Sequence, residues 1–231
     1  MSEIDELFER LLSANLDDGY VAGFALHKLG RRVIDIALNL AKDLDSKSRD
    51  MACFVLARVL IEGVEQDIVY PTYYNHGVPI LLELLKNDEV PAVRHSAAVA
   101  LSFHMLPCTL RDICRVGYDP DPMVKFGVAQ AIGNMSISFW DRAEVSPYLE
   151  DVEKVLLHLS DDKDDNVRDW TAFAFRHVAN KSQLLRMKLI QLTNDKSETV
   201  AEVARDALEG LLDNEWNASE LKIDRTGIPE V

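Results

Sequence analysis

A short pattern of apolar and small residues recurs along this chain of 231 residues. It is clearest at 93–101, where Val93, Ala97, Ala98 and Leu101 fall at the spacing of one helix face. Small residues at these positions indicate that a second helix packs closely against the first. Six copies align when they are anchored at Val21, Ser48, Val93, Val124, Val167 and Val200. The recurrence predicts an all-α protein made of helical repeats.

The spacing of the copies indicates two helices in each repeat. The anchors are separated by 27, 45, 31, 43 and 33 residues, which suits helix pairs with two enlarged connections. The helix that carries the pattern is predicted near 19–30, 46–62, 91–105, 121–135, 165–179 and 197–212. We expect one continuous array over residues 1–213. Residues 214–231, with Gly227 and Pro229, are predicted to form an irregular tail.

Charged residues occupy fixed places around the anchors. A basic residue follows four of them, at Arg49, Arg94, Lys125 and Arg168. An acidic residue stands three positions before several anchors, where a carboxylate can cap the helix N-terminus; these are Asp18, Asp45, Asp121 and Asp164. The first and last copies carry Ala22 and Ala201 in place of the basic residue, as terminal repeats often do.

The combined pattern Asp-x-x-Val-Arg-x-x-Ala-Ala-x-Ala-Leu resembles the HEAT repeat, particularly its short bacterial type, over nearly all of residues 4–213. The resemblance implies a right-handed α-solenoid of about six helix pairs, with each second helix on the concave face. It also implies a ladder of Asp and Arg side chains between successive repeats. The residues that match this ladder are Asp45, Arg49, Arg94, Asp121, Lys125, Asp164 and Arg168.

A partner-binding surface is predicted on the concave face. Positions two and six after each anchor point away from the core of a repeat helix. They include His95, Phe126, Gln130, Asp169 and Phe173, and Trp170 lies beside them. Two segments outside the basic repeat add Tyr70, Tyr73, Tyr74 and Trp140. Such rings are favoured at interfaces, although they could equally seal the enlarged joints, and Phe173 could belong to the core.

Charge and composition restrict the class of partner. A net charge of −14 argues against nucleic acid and anionic membranes, because phosphate binding needs clustered Lys and Arg. A basic protein is the favoured partner, although acidity also serves solubility. No apolar run approaches the roughly 18 residues of a membrane span. The three cysteines have no metal spacing, which suits reduced thiols in the cytoplasm. We expect no cofactor and no metal, and a monomer when the chain is free.

The sequence contains no catalytic motif, so we expect a binding protein and not an enzyme. Deoxyhypusine hydroxylase-like repeat proteins use His-Glu pairs, and none of the six histidines here precedes Glu. Alkylpurine DNA glycosylases of this repeat type need a cationic face, and the charge here is opposite. Phycobilin lyases remain compatible with the aromatic row. The favoured hypothesis is a non-catalytic protein that binds a basic protein partner. The chain resembles immunity proteins that neutralise nuclease toxins in size, charge and absence of a catalytic motif, so such a toxin is one candidate partner. The alternatives are an adaptor or assembly factor and a repeat enzyme of the lyase or glycosylase type.

Overall fold

The computed structural model describes residues 31–58, 76–104, 106–139 and 143–224, together with residues 6, 7 and 10. Within these residues the regular elements are all helical, which confirms the all-α prediction. The first predicted repeat helix, 19–30, lies outside them. The α-helices are α1 Arg31–Leu40, α2 Ser46–Arg58, α3 Val78–Asn87, α4 Pro91–Phe103, α5 Leu110–Val116, α6 Pro122–Phe139, α7 Leu149–Leu159, α8 Asp165–Val178, α9 Gln183–Leu192 and α10 Glu198–Asp224. Short 3₁₀ helices lie at Pro107–Thr109, Ala143–Tyr148 and Ala179–Lys181.

The helices form pairs that stack in series. Each odd-numbered helix packs against the even-numbered helix that follows it, from α1 with α2 to α9 with α10. The even-numbered helices also pack against one another in order, from α2 through α4, α6 and α8 to α10. We call this the inner row and the odd-numbered helices the outer row. Two stacked rows of this kind are an α-solenoid, as the repeat predicted.

Small residues bring the inner helices close together. The anchors Val93, Val124 and Val167 are fully buried, as is Ala97. At Gly127 of α6 an added Cβ would lie 3.1 Å from both the Cα and the carbonyl oxygen of a residue on α4. No side chain fits there without displacing that backbone. Glycine and alanine therefore set the spacing of the inner row.

A ladder of ion pairs joins successive repeats at the turns between their helices. The Nε and Nη2 atoms of Arg94 donate to the two carboxylate oxygens of Asp119, at 2.9 and 3.0 Å. Both side chains are nearly buried, with 13% and 12% of their surface exposed. The same kind of pair joins Arg49 to Asp88 and Arg168 to Asp195, and Lys125 contacts Asp162. Each pair links a basic residue of one repeat to the turn of the next repeat.

Each ladder arginine also binds the backbone of its own turn. The Nη1 atom of Arg94 donates to the carbonyl oxygen of Asp88 at 2.7 Å. Arg49 and Arg168 make the equivalent bonds to the turns before their own helices. One planar guanidinium thus binds two consecutive turns. The single ammonium group of Lys125 binds only Asp162, in the next turn. The hydrogen bond from Arg168 lowers the pKa of Asp195, against the opposing effect of burial.

The acidic members of the ladder differ from those expected. Asp45, Asp121 and Asp164 cap their own helices, each accepting the N–H of the residue two positions later. The carboxylates that bind the cations stand five positions before an anchor, which is two positions before the capping position. They are Asp88, Asp119, Asp162 and Asp195. At the capping position a carboxylate is directed at the N–H groups of its own first turn. The earlier turn position faces the preceding repeat, so that carboxylate meets the cation.

The predicted irregular tail is also corrected. Helix α10 continues to Asp224, well past the predicted boundary at 214. Residues 213–224 contain neither Gly nor Pro and include the helix formers Glu215, Ala218 and Leu221. The residues that disfavour a helix, Gly227 and Pro229, come only after that point.

One partly buried histidine joins the second and third repeats. The Nε2 atom of His104 lies 2.9 Å from the carbonyl oxygen of Leu56, so the neutral ring donates a hydrogen bond there. Burial lowers the pKa of His104 to about 4. Protonation of this ring therefore opposes folding.

The ladder predicts a large loss of stability in the Arg94→Ala variant. The substitution leaves the nearly buried Asp119 carboxylate without its cation and a turn carbonyl without its donor. We expect the free energy of unfolding to fall by about 2–4 kcal/mol, measured by urea denaturation. Lys154→Ala, which removes an exposed pair with Glu150, is the control and should change little. Equal effects of the two substitutions would show that the ladder is not a stabilising contact.

His104 predicts a pH dependence of stability. Between pH 6.5 and about 4 the unfolded chain binds a proton at this ring and the folded chain does not. The free energy of unfolding should therefore fall as the pH decreases through this window, by up to about 3 kcal/mol. The His104→Gln variant keeps an amide donor but does not titrate, and its stability should change less over the same window. Parallel pH profiles for the two proteins would contradict the assignment.

Candidate functional site

A continuous strip of rings lies on the exposed side of the inner row. It consists of His95 on α4, Phe126 on α6, and Trp170, Phe173 and His177 on α8, and all five are partly exposed. We call it the aromatic strip. His95 and Phe126 stack nearly parallel with ring centroids 5.4 Å apart. Edge-to-face contacts then follow at centroid separations of 5.9, 5.3 and 6.3 Å, ending at His177. The strip therefore crosses two joints between repeats.

Burial favours the neutral form of the two histidines of the strip. Burial lowers the pKa of His95, and the nearby Asp50 offsets part of that change. Burial also lowers the pKa of His177, with a further contribution from Arg176. The Nε2 atom of His95 is buried and has no hydrogen-bond partner. The strip is thus an aromatic surface with polar edges, and the charge of Arg176 lies near its His177 end.

Carboxylates lie on α2 and α8, near the strip. On α2, burial raises the pKa of Asp50. The hydrogen bond that Asp50 accepts from Ser96 and the nearby His95 act in the opposite direction, but the effect of burial is larger. On α8, Asp169 adjoins Trp170, and burial raises its pKa as well. Its Oδ1 atom is buried without a hydrogen-bond partner. A buried carboxylate oxygen without a donor is costly, which favours the protonated carboxyl group and agrees with the direction of the pKa change.

Two positions that recur on the exposed side of the inner row hold no cation, although the exposed Arg176 lies near His177 on α8. At the positions two and six after the anchors, helices α2 to α10 carry no Lys and no Arg. These positions hold Asp50, Phe54, His95, Val99, Phe126, Gln130, Asp169, Phe173, Glu202 and Asp206. The basic residues that follow the anchors are bound in the ladder instead. These positions therefore combine aromatic rings with carboxylates.

The structure brings together most of the predicted binding residues that it describes. His95, Phe126, Trp170 and Phe173 are consecutive members of the strip. Asp169 adjoins the strip, and Gln130 lies one helical turn after Phe126 and is partly exposed. Tyr70, Tyr73, Tyr74 and Trp140 lie outside the described residues.

Sequence reasoning did not include His177 and the Asp50–Ser96 pair in the predicted site. His177 lies four residues after Phe173 and therefore one turn further along the same helix face. This spacing is visible in the sequence and could have placed His177 in the predicted site. The contact between Asp50 and Ser96 joins two repeats, and only the packing of α2 against α4 reveals it.

The described residues offer little for catalysis. Among them no group of three or more His, Cys, Asp or Glu side chains could hold a metal ion. Cys114 is buried, and burial raises the pKa of its thiol to about 12, so the reactive thiolate does not form at neutral pH. A search of the same residues for a helix long and apolar enough to cross a membrane found none.

Comparison with known proteins supports the repeat assignment. The family model of the HEAT repeat matches residues 78–102, which contain α3 and most of α4. None of the curated proteins compared matches the sequence significantly.

The similar solved structures are repeat proteins with low sequence identity. A designed armadillo repeat protein in complex with the peptide (KR)4 is 18% identical with a TM-score of 0.59, and 91% of this chain aligns with all of that chain. The Escherichia coli protein YibA is 22% identical with a TM-score of 0.65, covering 92% of this chain and 74% of that one. A chain in the Kap95p–RanGDP structure is 16% identical with a TM-score of 0.69, covering 91% of this chain and 30% of that one. At this identity the likeness shows a shared HEAT and armadillo type of fold.

Proposed function

We propose that this HEAT-like solenoid is a non-catalytic binding protein that holds a basic segment of a partner protein along the exposed side of its inner row. The observation that carries the proposal is that the positions two and six after the anchors hold aromatic rings and carboxylates and no Lys or Arg on the inner helices α2, α4, α6, α8 and α10. A lysine or arginine of the partner would pair with the partly exposed carboxylate of Asp169.

The chemistry of the strip suits a cationic side chain. A guanidinium group that donates to Asp169 can also stack against Trp170, so one residue gains a charge-assisted hydrogen bond and a cation–π contact. Apolar parts of the partner would cover Phe126 and Phe173, where large rings supply most of the binding free energy. Further carboxylates lie on the inner helices before and after the strip: Asp50 is on α2, and Glu202 and Asp206 are on α10.

The charge of the whole chain supports the same partner class. A net charge of −14 attracts a basic protein over a distance and accelerates encounter, with an effect that weakens as salt increases. Free nucleic acid would be repelled by the same charge. The alternative of a repeat enzyme acting on DNA is therefore disfavoured.

Two solved neighbours make the proposal reasonable at the level of the fold. One is a designed armadillo protein whose structure contains a peptide of alternating Lys and Arg, and another is the Kap95p complex with RanGDP. Those ligands belong to those proteins. They illustrate that stacked helix pairs can hold a protein or peptide without any catalytic group.

Within this class, the specific role that we favour is an immunity protein for a nuclease toxin in the cytoplasm. A toxin of that kind presents a basic phosphate-binding surface, and the carboxylates of the inner row would occupy it and exclude RNA or DNA. An adaptor or assembly factor for another basic protein would use the same contacts. Assaying a captured partner for nuclease activity distinguishes the two roles.

The proposal predicts that Asp169→Asn weakens binding of a cationic peptide. With a labelled (Lys-Arg)4 peptide as probe, fluorescence anisotropy at low salt should give a dissociation constant raised by about tenfold in this variant. Trp170→Ala should have a similar effect. Glu144→Gln removes one negative charge from an exposed side chain on the 3₁₀ helix Ala143–Tyr148 and is the matched control. Equal affinities of the Asp169→Asn and Glu144→Gln proteins would mean that the peptide senses net charge only.

A further inference from the structure

One arginine of the inner row has no carboxylate partner. Arg176 on α8 is exposed, and among the described residues no acidic side chain pairs with it and no acceptor takes a hydrogen bond from it. Other arginines are each paired with a carboxylate: Arg49, Arg94, Arg111, Arg115, Arg168 and Arg205. Because a guanidinium group carries five N–H donors, those of Arg176 are available to a ligand.

The repeat does not require a cation at this place. Arg176 stands nine residues after the anchor Val167. The inner helices before it carry small buried residues nine positions after their anchors: Ala57, Ser102 and Gly133. A position that belongs to the packed joint in those repeats is therefore exposed and charged on α8. Packing between repeats does not account for an arginine there.

Gly210 on α10 makes room for the guanidinium group. A Cβ added to Gly210 would lie 2.6, 2.8 and 2.8 Å from Nε, Cζ and Nη2 of Arg176. At the equivalent two positions between α4 and α6, Asn134 donates a side-chain hydrogen bond to Ser102 at 3.3 Å. At the joint between α8 and α10 a glycine offers no side-chain acceptor. The guanidinium group is thus held at the joint without being neutralised.

Arg176 follows two other functional groups along one face of α8. Asp169, Phe173 and Arg176 occupy positions i, i+4 and i+7, which share a helix face. The rise of an α-helix places the first and last of them about 10 Å apart along the axis. The face therefore presents a carboxylate, an aromatic ring and a guanidinium group in that order. A complementary ligand carries a cation, an apolar part and a carboxylate in the same order.

The acidic residues of α10 that are nearest to Gly210 in the sequence leave Arg176 unpaired. Asp206 and Glu209 come four positions and one position before Gly210, and both are exposed. Neither forms an ion pair with Arg176. Burial and the charge of Arg176 both lower the pKa of His177, so that ring favours its neutral form. A carboxylate from outside the chain would bind the guanidinium fork by charge-assisted hydrogen bonds.

We propose that Arg176 binds an acidic side chain of the partner, which lies about 10 Å from the basic residue that pairs with Asp169. This inference rests on the proposed function, because it concerns the same inner face and the same partner. It narrows the partner from a basic segment to one in which an acidic residue stands close to the basic residues. A uniformly cationic segment would place a like charge beside Arg176, which lowers its affinity. Arg176 thus determines specificity among basic partners.

Four labelled peptides with blocked ends test the inference. One carries Gly-Gly-Glu after the segment (Lys-Arg)4, one carries Glu-Gly-Gly before it, and Gln replaces Glu in the other two. The spacer places Glu three residues, about 10 Å in an extended chain, from the nearest basic residue. The two orders cover both directions in which a peptide can lie.

The readout is the preference for Glu over Gln, measured by fluorescence anisotropy at low salt. In at least one order, the Glu peptide should bind the unaltered protein about threefold to fivefold more tightly than its Gln counterpart. Long-range attraction to a chain with a net charge of −14 predicts the opposite ranking, because the Gln peptide is the more positive.

Three variants assign the preference to Arg176. Arg176→Gln should abolish it. Lys163→Gln removes the same charge from an exposed side chain in the turn between α7 and α8, and should leave the preference unchanged. Gly210→Ala keeps every charge and suits a helix, but its Cβ displaces the guanidinium group, so the preference should fall. An unchanged preference in Gly210→Ala would show that Gly210 does not position Arg176.

The results for Arg176 and for the proposed function are distinguishable. If the Gln peptides bind and Asp169→Asn weakens them, the proposed function stands. If the Glu peptides are then not preferred in either order, or if the preference persists in Arg176→Gln, the inference about Arg176 is overturned. If no peptide binds, or if Asp169→Asn changes nothing, the proposed function fails and the inference fails with it. Circular dichroism of each variant establishes that the helices are retained.

Discussion

The fork of an arginine guanidinium reaches two consecutive turns at once, and the order of the whole array depends on that reach. Arg94 binds the backbone of its own turn through Nη1 and the carboxylate of Asp119 in the next turn through Nε and Nη2. The geometry is planar and bidentate, so it fixes orientation as well as distance. Each repeat is thereby set at a defined angle to the one before it. The aromatic strip exists because the inner helices are held in that series.

Lys125 is the exception, and it lies where the strip makes its own contact. This residue binds Asp162 through a single ammonium group, so the joint between α6 and α8 lacks the second bond that an arginine makes to its own turn. Phe126, the next residue, meets Trp170 across the same joint in an edge-to-face contact. The ring pair therefore supplements a weaker step of the ladder. Binding of a partner on Trp170 would reinforce the array at this step.

The ladder also explains the charge of the exposed inner face. Its cations are held at the turns, each next to a nearly buried carboxylate, and they do not neutralise the rest of the inner row. Asp50 and Asp169 are left beside neutral rings, and burial raises the pKa of both. The ladder thus binds the basic residue that follows each anchor from Arg49 to Arg168 and keeps it away from the exposed positions of the inner row. Stability and the proposed binding function share this origin.

The features that follow from the period of the repeat could be predicted from the sequence. The features that depend on which way a side chain points between repeats could not. The repeat of small and apolar residues determined the helix pairs, and the positions two and six after the anchors led to His95, Phe126 and Phe173. The ladder acids were misassigned because two aspartates precede an anchor, as Asp119 and Asp121 do, and spacing alone does not say which one faces the preceding repeat. The contact of Asp50 with Ser96 joins neighbouring repeats and has no signature in either helix. The end of the repeat pattern predicts a tail from residue 214, although the composition of residues 214–224 favours the helix that is observed.

Hydrogen–deuterium exchange of the chain alone and in complex with a partner captured from its source cells tests the central claim most directly. The account predicts that the captured protein is basic and is released by salt. It also predicts that binding slows exchange in α4, α6 and α8, around His95, Phe126 and Asp169, while the outer helices change little. Protection confined to the outer row, or a bound partner that is acidic and resistant to salt, would contradict the account.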